Sequence, residues 1–88
     1  MHDWHLANEI LKTVLEHANK NGLKNVSRVD IELGSILEHG EYISPENLVH
    51  NFKLLAENTI AKDANLEIKK IKGTVWKLKE VEGNKKRG

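Results

Sequence analysis

The sequence predicts an α+β fold: a two-layer sandwich of two helices on a three-stranded mixed sheet. Three observations carry that prediction. Apolar residues recur at spacings of three and four in two stretches, the mark of one-sided helices. Three further stretches read as strands, the clearest of them alternating with period two. The order helix–strand–helix–strand–strand leaves each helix one apolar stripe and the sheet one apolar face, and stacking the layers buries both. At 88 residues the chain has room for one domain and a thin core. Aromatics are only 5% of the chain, so Leu, Ile and Val must fill that core.

The first helix spans Leu6 to Ala18, with Leu6, Ala7, Ile10, Leu11, Val14, Leu15 and Ala18 on one face. Asp3 is placed to cap its start, and Asn21-Gly22 supplies a left-handed stop. "VSRVDIELG" then alternates, setting Val29, Ile31 and Leu33 against Arg28, Asp30 and Glu32, and ends near Gly34. Residues 34–43 show no sustained period and read as a loop. "SPEN" restarts a helix: Ser44 caps, Pro45 suits the first helical position and Glu46 sits in the first turn. Leu48, Val49, Phe52, Leu55 and Ala56 form its stripe, and Asn58 ends it.

In "NLEIKKI" Leu66 and Ile68 alternate while Ile71 falls out of phase, which predicts a bulge or an edge strand. "TVWKLKEV" is the third strand. With Lys72-Gly73 as turn material between them, the last two strands are expected to pair as an antiparallel hairpin. The connection from the first strand through the second helix to the second strand fits a parallel crossover. Val29, Ile31, Leu33, Leu66 and Ile68 should pack on Leu11, Val14, Phe52 and Leu55. The folded domain is expected over residues 1–83, with 84–88 a disordered basic tail.

Composition excludes several function classes. With 14 basic and 13 acidic residues the net charge is +1, which gives no electrostatic case for nucleic acid or an anionic membrane as partner. The absence of cysteine removes disulfides, thiolate nucleophiles and zinc–thiolate sites. There is no glycine-rich phosphate loop, no nucleophile with a placed base and no HExxH, so no enzyme is expected. Neither a leader pattern nor a run of roughly 20 apolar residues is present, and the expected location is the cytoplasm. Trp4 and Trp76 lack an accompanying basic stripe and read as core or partner-contact residues.

The chemistry lies in "MHDW". An α-amine, the amides after it and a histidine ring can chelate a divalent ion through fused rings. Such an all-nitrogen set favours the near-planar coordination of Ni(II) and Cu(II). Met1 supplies the amine, His2 an amide and its imidazole, and Asp3 a further amide; the bulky second residue is expected to keep Met1 in place. On the residues alone two readings stand, this chelate and a polar residue at a frayed chain end. His5, three residues on, reads as an extra ligand or an exposed helix residue. His17, His39 and His50 read as surface residues.

"MHDWHLANEILKTVLEHA", "VDIELG", "SPENLVHNFKLL" and "NTIAKDANLEI", in this order and spacing, resemble the HypA/HybF family of hydrogenase maturation factors. The resemblance covers roughly residues 1–71, and "TVWKLKEVE" is similar to the family's final strand. It implies a small metallochaperone that helps deliver nickel to nickel–iron hydrogenase. It also implies Ni(II) held by Met1, His2 and Asp3, with a HypB-like maturation GTPase and the hydrogenase large subunit as partners. The family begins Met-His-Glu; here Asp3 replaces the glutamate, a conservative change because the amide is what binds. One departure is large. The family carries a cysteine-rich zinc module between the last two strands, whereas residues 70–75 here read "KIKGTV", so no zinc is expected. The alternative reading is a metal-independent adaptor that keeps the fold and docks on the GTPase.

Overall fold

The structure, a computed structural model, describes residues 4–38 and 40–86. Its elements in chain order are α1 (Trp4–Lys20), β1 (Arg28–Leu33), β2 (Leu37–Glu38), β3 (Glu41–Tyr42), α2 (Pro45–Ala56), β4 (Asn65–Lys70) and β5 (Trp76–Glu82). Both helices form where the 3.6-residue pattern requires, and their ends have identifiable causes. Gly22 takes φ +67° after α1. The Leu23 amide then donates to the Ala18 carbonyl at 2.9 Å, and the Gly22 amide to Asn19 at 3.2 Å. This is the double bond of a Schellman cap, with Leu23 and Ala18 both buried beside it. At α2 the Ser44 hydroxyl accepts from the Asn47 amide at 3.1 Å, and Pro45 opens the helix. The helix stops at Ala56, two residues short of Asn58. There Thr59 donates its hydroxyl to the Ala56 carbonyl and accepts from the Ala61 amide, turning the chain out of the helix. Asp3, the expected cap of α1, lies outside the described residues.

The main sheet has the order β4-β1-β5. β4 runs parallel to β1, with Val29 opposite Leu66 and Ile31 opposite Ile68. β5 runs antiparallel to β1, with Val29 opposite Val81 and Leu33 opposite Trp76. The mixed sheet and the parallel crossover through α2 are as the sequence predicts. The hairpin is not: β4 and β5 flank β1 and do not pair with each other. Each takes one edge of β1, the most apolar strand, and so gains a full ladder against it. Residues 71–75 span the two inter-strand gaps, about 4.8 Å each, by crossing the end of β1. The Ile71 amide donates to Leu33 at 3.0 Å, Gly34 to Val75 at 2.8 Å and Ser35 to Gly73 at 2.8 Å.

Two further differences are local. β4 is an edge strand as expected, but its ladder with β1 is in step. The irregularity falls in β5, where Asp30 faces Glu80 and Ile31 faces Leu78, leaving Lys79 as the extra residue. The stretch 34–43, expected to be loop, folds back as a two-stranded ribbon in which Leu37 faces Tyr42, closed by Gly40 at φ +81°. Residues 84–86, assigned to the tail from the sequence, are tied down. Lys24 donates to Asn84 and Lys86 to Gly22, both at 2.7 Å, and Leu23 bridges Lys85. Arg87 and Gly88 lie outside the described residues.

Val29, Ile31, Leu33, Leu66, Leu11, Val14 and Phe52 are buried in one apolar cluster, and Leu55 and Ile68 are half-buried against it. Among the described residues no polar or charged side chain is buried. No described helix is long and apolar enough to cross a membrane.

Candidate functional site

α1 packs on α2 and β5, and its direction along β5 decides where the amino end of the chain emerges. Glu9, Lys12, Thr13 and Glu16 share a depression with Trp76, the first residue of β5. Further along, His17, Asn21 and Leu23 share one with Val81 and Glu82 at its end. The helix and the strand therefore run in the same direction. Because Trp76 faces Leu33, the last residue of β1, the start of α1 points to the end of the sheet where β1 finishes. The 71–75 connection crosses that same end, and the chain leaves it into the β2–β3 ribbon. The start of α1, the 71–75 connection and the ribbon thus belong to one end of the sandwich.

The three expected metal residues, Met1, His2 and Asp3, lie outside the described residues, as does His39. The described chain starts at Trp4, which opens α1, and the described core residues of that helix start at Leu6 and Ala7. His5 is 77% exposed on the first turn, with Nε2 3.5 Å from a Glu9 carboxylate oxygen. His17 and His50 are exposed on the helices, as surface residues should be. Trp76 is half-buried against the core, consistent with the packing reading of that ring; the side chain of Trp4 is not among those described. Among the described residues, no three His, Cys, Asp or Glu side chains group to hold a metal. The sequence has no cysteine, so its residues do not fit a zinc–thiolate centre of the kind that the resemblance implies.

Two features escaped the sequence reading. One is apolar: Leu37, Tyr42 and Val75 are 59%, 68% and 55% exposed, two on the ribbon and one on the connection, at the amino end of the domain. The other is the ion pairing on the polar sheet face that the alternation predicts, where Arg28 donates Nε to Asp30 at 3.0 Å and Nη2 to Glu67 at 2.9 Å. Those carboxylates, Asp30 first and then Glu67, raise the guanidinium further above its already high value and keep it charged. This face is the far side of the sheet from the helices and a solvated surface of paired charges.

The profile described as "Hydrogenase/urease nickel incorporation, metallochaperone, hypA" matches residues 1–79. The hydrogenase maturation factor HypA of Pyrococcus furiosus is 36% identical over 89 residues, covering 92% of this chain and 61% of that protein. The HypA of Rhizobium leguminosarum bv. viciae is 32% identical over 78 residues, covering 89% of this chain and 66% of its own. The chain therefore spans less than two thirds of these curated relatives. The solution structure of the Ni metallochaperone HypA from Helicobacter pylori superposes with a TM-score of 0.80 at 18% identity, covering 98% of this chain and all of that one, which establishes a shared fold. With nearly its whole length matched and the same architecture beneath it, the chain belongs to the HypA family.

Proposed function

We propose that this domain is a nickel carrier, not an enzyme, which assists insertion of Ni(II) into nickel–iron hydrogenase during maturation. The observation that carries the reading is the family match from residue 1, which takes in Met1 and His2, on a fold whose first helix starts at Trp4. Ni(II) is the cargo. Its ligands in this proposal are the Met1 amine, the His2 ring and the backbone amides of His2 and Asp3, a four-nitrogen set suited to planar coordination. Because the amine and any binding amide must give up protons, nickel uptake releases protons. The domain works without zinc in this reading, since five residues join β4 to β5 where the family carries its cysteine module. A HypB-like GTPase and the hydrogenase large subunit are the partners it would serve.

The adaptor reading is favoured by one observation, the exposed Leu37, Tyr42 and Val75 at the amino end, a surface suited to a protein contact. Nickel binding by the free chain end separates the two. Untagged protein and an amino-terminally extended form are titrated with Ni(II) while the d–d absorption of planar nickel is followed. One equivalent bound by the free form and none of that band in the extended form is the expected result. Equal binding by both removes the terminal chelate.

A further inference from the structure

His5 and Glu9 lie one helical turn apart on the exposed face of α1, where i and i+4 side chains stack. Nε2 of His5 is 3.5 Å from a Glu9 carboxylate oxygen, and the two side chains are 77% and 53% exposed. That distance is at the outer limit of a hydrogen bond. It is close to the spacing of two adjacent donors on one metal ion, roughly 3.0–3.4 Å when each ligand bond is about 2.1 Å. Among the described residues, neither side chain has another polar partner, so there the only polar contact a cation would replace is the one between His5 and Glu9. The helix backbone that holds the pair is anchored by Leu6, Ala7 and Ile10, all buried.

We infer that His5 and Glu9 form a second divalent-cation site, separate from any chelate at residues 1–3. One imidazole nitrogen and one carboxylate oxygen, with water in the remaining positions, make a mixed N/O set. Such a set suits borderline first-row ions, with Ni(II) bound more tightly than Co(II) and hard Mg(II) poorly held. Two donors on one rigid turn act as a chelate, yet two are too few for a storage site. The pair therefore exchanges its ion readily. Its position one turn from the amino end suits a landing point for an ion entering or leaving that end.

The test uses the full chain carrying His2→Ala and a short amino-terminal extension, which together remove the ring and amine of the terminal chelate. Its outcome is therefore independent of the function proposed above. Paramagnetic Ni(II) is titrated in while backbone amide signals are followed by NMR. Signals of residues 5–9 should broaden first, and Mg(II) should not compete. Adding His5→Ala or Glu9→Gln should weaken binding about tenfold or more, and Glu9→His, which gives a two-imidazole clamp, should strengthen it by a similar factor. Broadening centred on His17 or His50, or unchanged by His5→Ala, overturns the site.

Discussion

Gly34 lies against the carbonyl of Gly73 with no room for a side chain between them. A Cβ built on Gly34 would stand 2.6 Å from the Gly73 oxygen and 2.7 Å from that of Val75. Both are backbone atoms, and both are acceptors for the Gly34–Ser35 amides. The close approach is what lets the 71–75 connection fold over the end of β1. Gly34→Ala should therefore destabilise the domain by about 1–3 kcal/mol, the usual range for overpacking. Urea unfolding measures it, and an unchanged midpoint would mean that the connection moves aside freely.

Among the described residues, Phe52 on α2 is the largest fully buried side chain, a member of the core cluster that includes the sheet's inner face. Phe52→Ala should cost about 3–5 kcal/mol. Leu54, on the same helix but 46% exposed, is the control; Leu54→Ala should stay within roughly 0.5 kcal/mol. Similar losses at both positions would show that α2 is not docked by its Phe52 face.

The helices, β1 and most of the core were legible because each rests on local periodicity and on end signals within a few residues. Val29, Ile31 and Leu33 announce their face by alternation alone. Strand order was less legible, because it depends on which edge offers the better ladder. A Lys72-Gly73 turn looks alike whether it closes a hairpin or crosses a neighbouring strand, and the Gly34–Gly73 contact that decides between them joins distant parts of the chain. The ribbon did leave a signal. Leu37-Glu38 and Glu41-Tyr42 flank a two-residue stretch ending in Gly40, a hairpin pattern too short for its alternation to register. At the candidate site, "MH" marks the proposed nickel chemistry by its position in the sequence alone, whereas the exposure of Leu37, Tyr42 and Val75 is seen only in the fold.

The lack of cysteine leads to a stability prediction. No thiolates are present, and among the described residues no cluster of His and carboxylates takes their place. Five residues join β4 to β5, and three backbone hydrogen bonds secure that connection over the end of β1. Exhaustive dialysis against a chelator should leave the thermal transition where it was. A fall of several degrees would reveal a structural metal, because ligand release lowers the midpoint of any protein that binds it only when folded.

His2→Ala should separate metal binding from folding. The core contacts of α1 start at Leu6, and the helix is held from its far end by the Schellman cap at Gly22 and by the pairing of Leu23 with Lys85. Losing an imidazole ahead of Trp4 removes none of these, so the unfolding midpoint of the variant should match the parent. Its planar nickel band should vanish, because the ring closes the four-nitrogen set. In the parent the band should weaken as pH falls, since protons compete with nickel for the amine, the ring and the amides. Docking on a maturation GTPase, measured alongside, then decides the biology. A carrier loses hydrogenase maturation with His2→Ala even while docking persists, whereas an adaptor keeps both. Full maturation by the variant would leave the exposed Leu37–Tyr42 ribbon, and not the chain end, as the functional surface of the domain.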